Sequence, residues 1–220
     1  MRVRILLSAA KELMALAYKG YPEEPSFSLV SVKYSLSERE LFALKKIVRW
    51  PDEAVLSSLK RISPEFALGK EIRVDGYNVL GTIQALIDGD PVFLSNDGFV
   101  RDITSAYKSF HRRGISDQAI GFLIRELEAI RPREVLVLLD SPISKSGELS
   151  ARVRKFLKSS ELKGEARTER SVDFEVSRGE IAASSDVAVI RKARAVIDLP
   201  SLIAENLGIK PLKFWKDYEL

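Results

Sequence analysis

Apolar residues recur at helical spacing from Val3 to Tyr18, where Leu6, Leu7, Ala10, Leu13, Met14 and Ala17 fall on one face and Gly20 stops the pattern. Tyr21 to Ser26 reads as a turn or loop, and Phe27 to Tyr34 alternates apolar and polar residues as an extended segment does. Ser35-Leu-Ser-Glu-Arg-Glu40 is a capping signal for a helix to about Val48, with Leu41, Leu44 and Ile47 on its apolar face. Pro51 opens another helix running toward Ile62, and Ser63-Pro64 marks a boundary. Residues 1–64 are therefore expected to form a small, mostly helical N-terminal domain, followed by a second domain over 65–220.

In the second part, strand and helix patterns alternate. Ile72 and Val74 make a short β run that ends at Asp75; Gly76 allows close backbone approach or a positive φ, and Asn78 can cap a helix marked by Val79, Leu80, Ile83 and Leu86. Val92 to Leu94 is extended, Asp97-Gly98 is a turn, and Asp102 stands in the first turn of a helix expected to carry Ile103, Ala106, Tyr107 and Phe110. Ser116 caps a helix to Ile130, which Pro132 ends. Glu134 to Asp140 is a run of branched apolar residues suited to a central parallel strand. A basic amphipathic helix spans Gly147 to Ser160, and Glu165 to Val176 alternates like one or two strands. Ile181 to Asp186 reads as a strand entering a helix at Val187; Ala195 to Asp198 is a further strand, and Pro200 to Asn206 a closing helix. This order predicts an α/β fold, a mainly parallel Rossmann-like sheet with helices on both faces.

Composition narrows the chemistry. The 220 residues contain no cysteine and one histidine, His111, which excludes disulfides, thiolate metal sites and histidine-rich metal centres. A bound metal must take oxygen ligands, so Mg2+ or Mn2+ is the expected cofactor. No apolar run approaches the roughly 20 residues of a membrane span, and the charges at Lys11 and Glu12 interrupt any leader-like stretch at the start. A cytoplasmic protein without a membrane partner is expected. The net charge of +4 admits a polyanionic partner. Three clusters could meet phosphate: Lys45, Lys46 and Arg49; Lys108, His111, Arg112 and Arg113; and Arg152, Arg154, Lys155 and Lys158. Each is also what a solvated helix face looks like. The chain has neither a Walker loop nor a dinucleotide-binding glycine motif. Tyr77 and Pro142 stand two positions after Asp75 and Asp140, where a haloacid-dehalogenase-like phosphatase carries a second acid.

Asp75, Asp140 and Asp186 each close a predicted strand, and a parallel sheet gathers strand carboxyl ends at one edge. Carboxylates gathered there repel one another unless a cation neutralises them. A strand-ending aspartate can also do no more than cap the next turn. Asp75-Gly-Tyr-Asn78-Val, following a strand, resembles the opening D-x-x-N motif of NYN domains, PIN-like metal-dependent ribonucleases. The strand ending at Asp140 resembles the NYN strand that also ends in Asp, and Ser184-Ser185-Asp186 resembles the Ser-Asp element of those domains. Over most of its length the chain also resembles an uncharacterised prokaryotic family that joins a small N-terminal domain of unknown function to a PIN-like half.

The resemblance implies a PIN-like fold and metal-assisted hydrolysis of RNA. Asp75, Asp140, Asp186 and Asn78 would be catalytic, and Asp75, Asp102, Asp140 and Asp186 would hold Mg2+ or Mn2+, with Asp97 in reserve for Asp102. Ser185 would help Asn78 orient ligands or water, and Lys108, Arg112 and Arg113 would position the RNA backbone. The expected partners are RNA and, as a homo-oligomer, a second copy of the chain. The NYN pattern has a helix before its last acidic strand, and the alternation of Glu165 to Val176 departs from it. The alternative is a degenerate PIN-like module that binds RNA or a protein partner without cleaving.

Overall fold

The computed structural model describes residues 2–103 and 114–215. Four helices come first, α1 (Val3–Tyr18), α2 (Glu23–Lys33), α3 (Glu38–Ile47) and α4 (Pro51–Ser58), and a short 3-10 turn (Pro64–Ala67) leads into the sheet. Then follow β1 (Glu71–Asp75), α5 (Gly76–Asp88), a hairpin of β2 (Val92–Leu94) and β3 (Val100–Asp102), and α6 (Asp117–Ile130). The remainder is β4 (Glu134–Asp140), α7 (Ser146–Lys158), β5 (Gly164–Glu169), α8 (Val172–Ser177), β6 (Ile181–Ala183), α9 (Val187–Lys192), β7 (Val196–Ile197) and α10 (Leu199–Asn206).

Five strands pair in parallel in the order β5-β4-β1-β6-β7. The expected α/β architecture, a parallel Rossmann-like sheet between helices, is therefore present. The alternation of β4 shows the layering: Val135, Val137 and Leu139 join the core with residues of α5, α6 and α7, whereas Leu136 and Leu138 face Val172, Val176, Val189 and Ile190 of α8 and α9. A strand covered on both faces must be apolar throughout, which is the pattern of this segment. β1 lies in the middle. The chain builds outward on one side through β4 and β5, then crosses to the other side for β6 and β7, so the order reverses beside β1. In open α/β sheets the crevice at the carboxyl ends of such strands is where ligands bind.

Four local expectations change. Residues 27–33 are helical rather than extended, and α2 begins at Glu23, within the expected loop. Phe27 and Val30 are buried, while Leu29 is 56% and Val32 80% exposed, which is a helical and not an alternating pattern. Glu23 and Glu24 in the first turn and Lys33 in the last favour this helix through its dipole. α4 stops at Ser58 instead of reaching Ile62, because Lys60 and Ile62 bond to Val196 and lengthen the sheet edge. The segment read as one or two strands over Glu165 to Val176 is β5 followed by helix α8, where Val172 and Val176 are buried one turn apart and Phe174 is exposed. Asp102 ends strand β3 rather than opening a helix; the helix expected after it falls on residues 104–113, outside the described residues.

The division at 64/65 runs through a shared core. Leu6, Leu13, Phe27, Val30, Leu44 and Ile47 of the N-terminal helices pack with Phe93, Ile103 and Phe214 from the second part. Leu212 also bonds to both Val92 and Leu94 of the hairpin, which ties the C-terminal segment into the same place.

Candidate functional site

Asp75 stands at the carboxyl end of the central strand and is 5% exposed. It caps α5 by accepting the Asn78 N–H, at 3.3 Å, on one carboxylate oxygen, and accepts the Ser184 hydroxyl on the other at 2.9 Å. Asp75, not Asn78, is thus the cap of this helix. Gly76 makes the arrangement possible through close approach: a Cβ there would lie 2.5 Å from Leu139 Cδ2 and 2.7 Å from the Leu138 carbonyl oxygen. Any larger residue would push the start of α5 off β4.

Asn78, on the first turn of α5, reaches across to the β6 exit. Its side-chain oxygen accepts both the backbone N–H of Ser185, at 2.8 Å, and the Ser185 hydroxyl, at 3.1 Å. The serine that touches Asp75 is therefore Ser184, while Ser185 holds Asn78. Ser184 Oγ also accepts the Asp186 N–H, and Asp186 in turn caps α9 by accepting the Ala188 N–H. The register explains the meeting: Val74 pairs with Ala183, so the next residues, Asp75 and Ser184, lie side by side. Asp140 extends past the end of β1 and pairs with Glu169 of β5.

The electrostatics join these acids. Burial pushes the Asp75 carboxyl up to about 7, against the two hydrogen bonds that favour its charged form, and Asp186 and Asp173 add to the rise. Burial also raises Asp140. Asp173, on the first turn of α8, is raised by the surrounding protein and then by Asp186 and Asp140, with Lys192 opposing. Asp173 is a member of this edge that sequence reading missed. The signal available was the helical spacing of Val172 and Val176 after Ser171, which competed with the alternation of Val172, Phe174 and Val176. Among the described residues none of the four acids has an ion-pair partner.

Asp75 and Asp140 end β1 and β4 as expected, whereas β6 ends at Ala183 and Asp186, three residues on, caps α9 instead of closing a strand. The three acids do not form a finished cage: among the described residues, no three His, Cys, Asp or Glu side chains come together closely enough to hold a metal ion. The donor set fits a hard divalent cation in charge and in oxygen chemistry, but its carboxylates are not drawn together.

Asp102 and Asp97 occupy different surroundings. Asp102 accepts the Thr82 hydroxyl at 3.0 Å, and its backbone oxygen accepts Lys46 Nζ. It lines a cavity of about 500 Å3 together with Lys46, Tyr77, Asn78, Lys145 and Arg152. Asp97 is fully buried in a two-pronged ion pair with Arg101, both contacts at 2.7 Å, so its charge is already neutralised and it has no part in the acidic edge. Lys108, Arg112 and Arg113 lie outside the described residues. Of the other basic clusters, Lys45 pairs with Glu24, Arg49 with Glu53 and Arg152 with Asp117.

A family described as "Domain of unknown function (DUF5616)" matches residues 64–202, from the turn before β1 into α10. The chain belongs to this family. The matched span of DUF5616 contains the whole parallel sheet and every acid of the edge. A relative from Methanocaldococcus jannaschii, "Uncharacterized protein MJ0935", is 30% identical over 199 residues, covering 90% of this chain and 95% of its own length. The likeness thus extends through the N-terminal helices as well as the DUF5616 part. No solved structure gives a significant match.

Proposed function

We propose that this DUF5616 chain is a PIN-like, NYN-type ribonuclease that hydrolyses RNA phosphodiester bonds with Mg2+ or Mn2+. The observation that carries the reading is Asp75: a buried carboxylate at the reversal point of a parallel sheet, near Asp186 and Asp173, with no ion-pair partner among the described residues. A structural aspartate this deeply buried is normally paired.

Asp75, Asp140, Asp173 and Asp186 are the residues that would hold the metal. When bound, the ion would lower the pKa of an attacking water and stabilise charge on the scissile phosphate. Ser184 and the Asn78 N–H fix the two oxygens of Asp75, so the carboxylate cannot rotate. Asn78 and Ser185 lock the exit of β6 against the start of α5. Lys46, Lys145 and Arg152 line the wall of the adjoining cavity beside Asn78, with Glu148 among them, and these cations would meet the RNA backbone. Asp102 shares that wall, and Lys108, Arg112 and Arg113 belong to the same proposal on sequence grounds.

The unassembled state of the carboxylates favours a second reading, a module that binds RNA without cutting it. One assay separates the two: purified wild type and Asp75→Asn are incubated with mixed RNA substrates, with Mn2+ or Mg2+ and with a chelator control. A nuclease shows chelator-sensitive cleavage that the variant loses by about 100-fold or more. RNA retention without cleavage by either protein supports the binding module, and equal cleavage by both removes Asp75 from the site.

A further inference from the structure

The acidic edge is held by a charged residue that never reaches it. Arg101, on β3, is 3% exposed. Two of its nitrogens grip Asp97, and its Nε donates to the carbonyl oxygen of Ser185 at 2.9 Å. Its guanidinium also lies 5.7 Å from the centre of the Phe99 ring. Ser185 is the residue between Ser184, which binds Asp75, and Asp186. Asn78 holds Ser185 from one side and Arg101 from the other.

The far end of this strut is anchored in the N-terminal helices. Asn96, next to Asp97, accepts the Arg49 N–H at 2.7 Å and donates to the Arg49 carbonyl at 2.8 Å. Arg49 lies in the α3–α4 connection. The neighbouring Val100 N–H donates to Asp198, the cap of α10. The hairpin turn is thus fastened to the N-terminal helices, to the β6 exit and to the β7 exit. A buried ion pair contributes little net stability compared with apolar residues of the same volume, whereas its geometry is demanding. A planar guanidinium can hold a carboxylate with two nitrogens and a carbonyl with the third; a lysine ammonium cannot reproduce that fork.

We propose that Arg101 is a positioning residue for the acidic edge, holding the Ser184–Ser185–Asp186 exit in register with Asp75 and transmitting to it the placement of the N-terminal helices through Asp97 and Asn96. The consequence for metal binding rests on the nuclease reading; the consequence for the order of the β6 exit does not.

The test uses full-length Arg101→Lys, which keeps the charge. Hydrogen exchange at residues 184–188 and Mn2+ affinity are measured beside wild type and beside Ile124→Val, a core control on α6 that touches neither partner. Exchange at 184–188 is expected to rise about tenfold or more in Arg101→Lys and to stay unchanged in Ile124→Val. Mn2+ affinity is expected to fall by about 10- to 100-fold in Arg101→Lys alone. If the lysine variant does not fold, Asp97→Asn, which frees Arg101 from its anchor while keeping the side-chain shape, is read in the same way. Wild-type exchange at 184–188 in the variant overturns the proposal. Faster exchange in a protein whose wild type binds no Mn2+ keeps the positioning role and removes the metal reading.

Discussion

At the scale of single residues, Asp75 is under tension between two requirements. Its hydrogen bonds from Ser184 and the Asn78 N–H suit a carboxylate, while burial and the nearby acids oppose the charge. The folded-state pKa of about 7 lies above the ordinary carboxyl value of 3.8. The folded protein therefore binds more protons than the unfolded chain between those values, and the Asp75 contribution to stability, complete below 3.8, is lost as pH rises through about 7. Asp198, pushed up to about 6, acts in the same direction. Without divalent metal, Asp75→Asn is accordingly expected to melt at a higher temperature than wild type at pH 7.5, with a flatter dependence of melting temperature on pH below that; scanning fluorimetry across pH measures both. Adding Mn2+ should raise the wild type and leave the variant unmoved. A variant that melts lower than wild type at pH 7.5 without metal would show that the charge of Asp75 is stabilised by the fold itself.

At the scale of elements, α2 and α8 illustrate how a short segment can satisfy two periodicities at once. Val30, Val32 and Tyr34 suggest alternation, but the N-terminal core takes Phe27 and Val30 and leaves Leu29 and Val32 to solvent. In a strand, positions 30 and 32 would share a face; in this helix they do not. Val30→Ser should cost roughly 2 kcal/mol or more, through a cavity and a buried hydroxyl. Val32→Ser should change stability by no more than about 0.5 kcal/mol, as at an open surface position. Paired urea unfolding curves check both, and equal losses would contradict the helix. α8 matters more for function, because its first turn carries Asp173 to the strand ends.

At the scale of the whole molecule, the N-terminal helices share a core with the second part. Phe93, Ile103 and Phe214 are buried against them, and Arg49 and Asn96 clamp the hairpin to the α3–α4 connection. A chain that starts at residue 64 would expose these aromatic and branched side chains. It is expected to bind a hydrophobic dye and to lose a sharp thermal transition; a compact, cooperatively melting fragment would show instead that the DUF5616 part is self-sufficient. Among the described residues no helix is long and apolar enough to cross a membrane.

The strongest periodicities were legible without coordinates. The branched apolar run of β4, the Ser116 cap, the turn at Asp97-Gly98 and the aspartates at the ends of β1 and β4 follow from local spacing and turn chemistry, because each depends on residues close together in the chain. The expectation that Asp186 closes a strand did not hold, since β6 ends at Ala183 and Asp186 caps α9 instead. What only the tertiary structure decided are relations across the sheet. The register that sets Ser184, rather than Ser185, against Asp75 arises from β1–β6 pairing. The burial of Asp97 against Arg101 turns a candidate ligand into a support. The helix that presents Asp173 wins over a strand because Val172 and Val176 find a core to enter. Local sequence carries the period of an element, whereas the side of it that meets another element depends on what long-range packing brings there.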